Sequence, residues 1–276
     1  MTALAHPLIR YHGGKFRLSD WIISHFPKHN TYVEPFGGGA SVLFAKEPSR
    51  CEVYNDLDDD VVNLFRVLRV PSLAEQLALA IEMTPYSRTE FFDAYEQTND
   101  PVEQARRLVI RAQMGFGSAG ATKGNTGFRL DTARGGSDIV TIWNRYPKII
   151  AQAAARFKNV LIENRCALQV IKDHDREDTL FFIDPPYVLD TRNTNRAYRY
   201  EMTNAQHQEL LMLLLKLKAK VILCGYPHPI YTESLKSWRL VSKPARAAGQ
   251  SGTVMRTECL WINQAADDFD LFGGAA

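Results

Sequence analysis

The chain of 276 residues lacks long hydrophobic runs. Its longest, Leu210 to Leu215, falls far short of the roughly 20 apolar residues a membrane-crossing helix needs. The segment Met1 to Lys15 has no continuous apolar stretch either, so a soluble cytoplasmic protein with no membrane partner is expected. The four cysteines, Cys51, Cys166, Cys224 and Cys259, stand far apart with no C-x-x-C pair, and the seven histidines show no ligand spacing near them. Reduced, mostly buried thiols and no metal site follow as expectations. Net charge is nearly absent too: 33 Lys and Arg against 31 Asp and Glu leave +2. That balance alone announces no nucleic-acid partner, because a net charge is silent about clustering. Also missing are a G-x-G-x-x-G fingerprint and a phosphate loop, since Lys15 is followed by Phe16 and the first glycine of such a loop is absent. A nucleoside-triphosphate hydrolase is thereby disfavoured. No activated cysteine or serine nucleophile is evident.

What is present is enough apolar material, 45% of residues, for one large core with a small inserted subdomain. Apolar runs bounded by turn residues alternate with helical periodicity, which points to an α/β fold with a mainly parallel sheet. The expected strands are Thr31–Glu34, Cys51–Asn55, Asn159–Glu163, Thr179–Asp184, Lys220–Cys224, Arg239–Lys243 and Glu258–Asn263. Helices are expected over Ala40–Lys46, over Leu57 to Leu68 with Asp58, Asp59 and Asp60 in the first turn, and over Thr203–Lys218. From Pro71 to about Gln113 the pattern is helical throughout, with Pro71, Pro85 and Pro101 opening successive segments. The glycine-rich stretch Gly115 to Gly136 should be mobile in isolation, having little apolar surface to bury. Residues 1–70 and 146–276 are therefore expected to form the catalytic domain, and 71–145 an inserted helical and loop region.

Three local patterns carry chemistry. Asp184-Pro185-Pro186-Tyr187 follows the apolar run Thr179 to Ile183, so a buried strand ends in a rigid, acidic, aromatic-tipped turn. Each proline removes a backbone N–H, which leaves the Asp184 carboxylate and the Pro185 carbonyl as side-by-side acceptors suited to an exocyclic NH2 group. Tyr187 offers a flat face on which a nucleobase can stack, worth roughly 1–3 kcal/mol. Upstream, Glu34-Pro35-Phe36-Gly37-Gly38-Gly39 closes a strand and opens a helix, leaving the backbone bare where a nucleotide-like ligand can approach. Asp56 ends the next strand about twenty residues later, where α/β nucleotide folds set a carboxylate against ribose hydroxyls. The third pattern, Tyr11-His12-Gly13-Gly14-Lys15, could wrap the amino-acid end of a cofactor. S-adenosylmethionine, which has no phosphate to cradle, is such a ligand.

Taken in order, these patterns resemble the DNA adenine methylases of the Dam type. In that family an aromatic-x-Gly-Gly-Lys segment precedes an E-P-F-x-G loop, an N-D strand end, a target-recognition insertion and lastly D-P-P-Y. The resemblance runs from about residue 8 to 263, through Tyr11 to Lys15, Glu34 to Gly39, Asn55-Asp56-Leu57 and Asp184 to Tyr187. It implies a Rossmann-like class I methyltransferase sheet, mostly parallel with an antiparallel carboxyl-terminal strand, and a helical target-recognition insertion. It implies S-adenosylmethionine bound by Tyr11, Lys15, Glu34, Phe36, Gly37, Asp56, Leu57 and Asp184, no metal, and methyl transfer to the N6 of an adenine flipped out of double-stranded DNA. Asp184, Pro185, Pro186 and Tyr187 would hold that base.

Candidate DNA contacts are Lys123, Arg129, Arg134, Asn144 and Arg145 in and after the glycine-rich stretch, where arginine forks and asparagine amides can read base edges. Arg192, Arg196 and Arg199 follow the D-P-P-Y turn, where a loop could close over the flipped nucleotide. The glycine-rich stretch departs from the Dam-type recognition hairpin, so the resemblance does not extend to a GATC target; another short site, or relaxed specificity, is equally compatible. Two alternatives stand beside this reading: a catalytically silent DNA-binding or specificity subunit of the same fold, and a cytosine-N4 methyltransferase, whose motif usually begins with serine. A monomer or weak dimer is expected.

Overall fold

A computed structural model describes residues 4, 6–122, 124–130, 137–192, 197–249 and 252–267. Seven strands form one sheet: β1 (Thr31–Glu34), β2 (Cys51–Asn55), β3 (Val160–Glu163), β4 (Thr179–Ile183), β5 (Lys220–Gly225), β6 (Arg239–Gly249) and β7 (Gly252–Ile262), in the order β3-β2-β1-β4-β5-β7-β6. The first five are parallel and β7 alone runs against them, paired with β5 on one side and β6 on the other. The chain moves outward from β1 to β2 in one direction and from β4 to β5 in the other. The carboxyl ends of β1 and β4 therefore flank the point where strand order reverses, and connections leaving in opposite directions open a crevice there.

Why these segments are strands is clear in β4, whose residues Thr179 to Ile183 are all buried. A parallel strand covered on both faces needs a continuous apolar run rather than alternation. Leu180 and Phe182 face one core with Tyr32, Tyr54 and Ile222, while Phe181 and Ile183 face a second with Val33, Val53 and Leu223.

The helices are α1 (Ser19–Ile23), α2 (Ser41–Ala45), α3 (Asp59–Arg69), α4 (Pro71–Glu82), α5 (Arg88–Asp93), α6 (Pro101–Met114), α7 (Ser137–Trp143), α8 (Tyr146–Phe157), α9 (Ala167–Asp173), α10 (Asn204–Leu214), α11 (Pro229–Ser234) and α12 (Gln264–Asp267). Local chemistry sets their starts. Asp58 lies just before α3 rather than within its first turn, and its carboxylate accepts from the Asp60 N–H at 3.1 Å. Asp100 does the same for α6, with Pro101 at the first helical position. Thr203 and Gln206 form a reciprocal capping box on α10, which ends at Leu214, short of Lys218. Helices α3 to α8 lie between β2 and β3 in sequence, and their apolar residues, among them Leu77, Phe91, Leu108 and Tyr146, belong to the same core as Tyr32 and Tyr54.

Three expectations need correction. Strands β6 and β7 are much longer than the Arg239–Lys243 and Glu258–Asn263 runs, because residues 244–257 are mostly small and pair with each other, which leaves no alternating apolar signature. Only Cys224 and Cys259 are buried; Cys51 opens β2 and Cys166 precedes α9, both exposed. The described part of the glycine-rich stretch is docked, because Phe128 packs on Tyr86 and Phe91 and Gly115 bridges to Phe128.

Candidate active site

The turn after β1 is tied to the end of β2 by backbone groups. Gly37 donates its N–H to the Asn55 carbonyl at 2.8 Å, and the Asn55 amide donates to the Pro35 carbonyl at 2.8 Å. Gly38 donates its N–H to Asp56 Oδ2 at 2.8 Å, while Asp56 Oδ1 accepts from the Asp58 N–H at 2.8 Å. Glycine is required here by space as well as by conformation. A Cβ on Gly37 would lie 2.2 Å from the Tyr54 ring, and one on Gly38, at φ +47°, 2.7 Å from the Tyr11 ring. Ala40, opening α2, holds φ +51°, which makes it the one described non-glycine residue in the left-handed region. Burial raises the Asp56 carboxyl above its usual range, and the N–H groups it accepts pull the other way.

Asp184 stands at the exit of β4 beside this turn. Its Oδ1 is 2.9 Å from Lys15 Nζ, which also donates to the Gly13 carbonyl at 2.8 Å and lies 4.8 Å above the Tyr187 ring. Tyr187 is almost fully enclosed: its hydroxyl donates to Glu258 Oε2 at 2.8 Å, and Tyr226 meets its ring edge-on at 4.7 Å. Burial raises the carboxyls of both Asp184 and Glu258, opposed by the Lys15 ammonium. Burial alone would lower Lys15, but the two carboxylates outweigh it and hold the ammonium charged. Removing one member of such an enclosed pair strands the other, at a cost of about 3–5 kcal/mol.

A segment following β4 closes over the glycine side. The Tyr198 hydroxyl donates to the His12 carbonyl at 3.2 Å, and its ring meets that of His12 at 5.2 Å. Arg199 reaches Asp58 and Asp60, each at 2.9 Å, while Arg192 pairs with Glu201, which also accepts the N–H groups of Ala197 and Tyr198. Burial lifts Asp58 to about 6 against the pull of Arg199.

Tyr11, Lys15, Glu34, Phe36, Gly37, Asp56, Leu57 and Asp184 all line one cleft, with Pro186, Tyr198 and Arg199. Tyr187 stands behind Lys15, at the edge of the cleft rather than on its wall. Sequence reasoning passed over Glu258, although a carboxylate directly before the apolar run Cys259 to Ile262 was a legible sign of a buried acid. Among the DNA candidates, Asn144 and Arg145 are exposed at the turn into α8, and Arg129 is half-buried with its N–H on the Met114 carbonyl. Arg192 and Arg199 are engaged by carboxylates of the chain itself. Lys123, Arg134 and Arg196 lie outside the described residues.

Among the described residues no group of His, Cys, Asp and Glu is arranged to hold a metal ion, and no helix is long and apolar enough to cross a membrane.

Comparison with known proteins gives a consistent picture. The family model described as D12 class N6 adenine-specific DNA methyltransferase matches residues 11–242. A DNA adenine methylase from Haemophilus influenzae is 25% identical over 194 residues, covering 68% of this chain and 66% of that protein, just under two thirds of its length. The Type II methyltransferase M1.LlaDCHI from Lactococcus lactis subsp. cremoris is 23% identical over 256 residues, 85% of this chain and 86% of its own. The Type II methyltransferase M.MjaIII from Methanocaldococcus jannaschii is 23% identical over 206 residues, 66% of this chain and 68% of its own.

Proposed function

Since the chain belongs to the D12 class N6 adenine-specific DNA methyltransferase family, we propose that it moves a methyl group from S-adenosylmethionine to the exocyclic nitrogen of an adenine turned out of duplex DNA. The observation that carries this reading is the Lys15–Asp184 pair at 2.9 Å, which joins the Tyr11–Lys15 segment to the D-P-P-Y corner on the wall of the glycine cleft.

The cleft suits the proposed donor. Glycines whose Cβ atoms would clash leave room at the backbone, and Asp56, Asp58 and Asp184 line the wall. Carboxylates repel a phosphate but suit a cationic group and ribose hydroxyls. S-adenosylmethionine bound there supplies an electrophilic methyl carbon on a positively charged sulfur. Asp56 is the carboxylate, and Glu34 the protonated carboxyl, to hold its polar groups, with Phe36 and Leu57 as apolar walls.

The chain's own part is to bind and orient the base. Asp184 and the Pro185 carbonyl accept the two amino hydrogens, which draws the nitrogen lone pair out of ring conjugation and aims it. Lys15 favours the ionised, accepting form of Asp184 against the burial that raises it. Tyr187, fixed by Glu258 and Tyr226, braces this corner from behind Lys15, and the base's contacts at the corner offset part of the few kcal/mol spent in extruding it. No covalent enzyme intermediate is needed; alignment and fixed dipoles in a water-poor corner supply the acceleration. We assign target reading to residues 71–145, where Asn144 and Arg145 are exposed.

Transfer of tritiated methyl onto duplex DNA, with digestion to nucleosides to identify N6-methyladenine, tests the reading. Asp184→Ala should lose transfer by at least about a hundredfold while calorimetry still detects the cofactor. Unchanged turnover in that variant refutes the mechanism. A wild-type chain that binds DNA yet transfers nothing favours the silent specificity subunit, and label on cytosine favours the N4 chemistry.

A further inference from the structure

Strands β6 and β7 leave the sheet together. The last rung that β7 shares with β5 is Gly225↔Cys259, whereas its rungs with β6 continue from Lys243↔Glu258 out to Gly249↔Gly252. Six residue steps at about 3.4 Å each carry this ribbon about 20 Å beyond the carboxyl end of β5. That is the end of the sheet at which Asp184 and the glycine turn stand. The projecting strands are slim, with Ala245, Ala247, Ala248, Gly249 and Gly252 along them.

Charge on this arm has one sign. No Asp or Glu occurs between Arg239 and Thr257, while Lys243, Arg246 and Arg256 all fall on the projecting part; Arg239, at its base, is paired with Asp267. Opposed residues of an antiparallel pair share a face, and faces alternate along each strand. Lys243, Ala245 and Arg256 therefore stand on the face that carries Glu258, the acceptor of the Tyr187 hydroxyl. The Arg256 guanidinium lies 5.8 Å above the Tyr226 ring, and Tyr226 is the ring that meets Tyr187 edge-on. A cationic face thus begins at the D-P-P-Y corner and runs outward. Protecting the exposed edges of both strands would account for Pro244 and for a charge on each, but it does not call for Lys243 and Arg256 to share the one face that leads to Tyr187.

We propose that the β6–β7 ribbon is a DNA-gripping arm that lies along the backbone phosphates next to the extruded adenine, with Lys243 and Arg256, on the face that leads from Glu258, as its phosphate contacts. The proposal rests on the function inferred above. Phosphates along one strand recur about every 3.4 Å of helix axis, so an arm of this length passes several.

Equilibrium binding of wild type and of the Lys243→Ala/Arg256→Ala double variant to one duplex, across a salt series, tests it. Two lost phosphate contacts should reduce the slope of log affinity against log salt by about 1.8, so between about 50 and 200 mM salt the variant loses about twelvefold less affinity than wild type. Arg256→Ala alone should reduce the slope by about 0.9. Cofactor affinity, measured in parallel, should be unchanged. Slopes equal to that of wild type in all variants overturn the arm while leaving the proposed function intact. A wild-type chain with no salt-dependent duplex binding overturns both.

Discussion

Replacing Glu34 by glutamine should make the protein more stable, and increasingly so as pH rises. Glu34 is 2% exposed at the end of β1, accepts the Tyr32 hydroxyl at 2.6 Å, and is pushed by burial from 4.5 to about 8. The folded chain therefore holds this proton more tightly than the unfolded chain does. The stability so conferred is whole below about 4.5 and is lost as pH climbs through about 8. With about 1.4 kcal/mol for each pH unit in that window, the loss between about pH 5 and about pH 8 comes to about 3–4 kcal/mol. Glu34→Gln keeps a carbonyl oxygen to accept from Tyr32 and removes the titration. Urea unfolding followed by far-UV circular dichroism across that range should show the two stability curves diverging by that amount, the variant gaining toward alkaline pH. Parallel curves would refute the view that this carboxyl is held protonated by its surroundings.

Other substitutions test other parts of the site. Gly37→Ala drives a Cβ to 2.2 Å from a Tyr54 ring that is itself packed on Phe65 at 4.3 Å, and should cost about 1–3 kcal/mol in thermal unfolding; an unchanged midpoint would show the turn to be pliable. Glu258→Leu leaves the Tyr187 hydroxyl without its acceptor, and single-turnover methyl transfer should slow more than cofactor affinity falls, with Glu258→Gln restoring most of the rate. Equal losses of rate and affinity, or no rescue by Gln, would deny Glu258 a positioning role. Arg199→Ala should change stability by less than about 1 kcal/mol, since the side chain is 45% exposed, yet speed cofactor release in stopped-flow displacement. A release rate equal to that of wild type would remove Arg199 from the cover.

Motifs close in sequence were the most legible part of the site. A strand buried on both faces advertises itself as Thr179–Ile183, and a turn that must be bare advertises itself as Gly37-Gly38-Gly39. What the sequence concealed depends on long-range partners. Arg192 and Arg199 read as basic loop residues, yet Arg199 meets carboxylates about 140 residues away, which no local pattern discloses. The projecting ribbon was hidden for a different reason: its strands pair with each other through mostly small residues, so periodicity is silent there. Glu258 needed only the question of why an acid should lead an apolar strand.

Ala40 has a consequence for readiness. A fourth glycine after Gly37, Gly38 and Gly39 would fit the left-handed angle without penalty, whereas alanine gives up about 1–2 kcal/mol there. In exchange, the segment samples fewer shapes before folding and is stiffer afterwards. A guest arriving at this loop then meets a mould already set, and little of its affinity is spent on ordering the host.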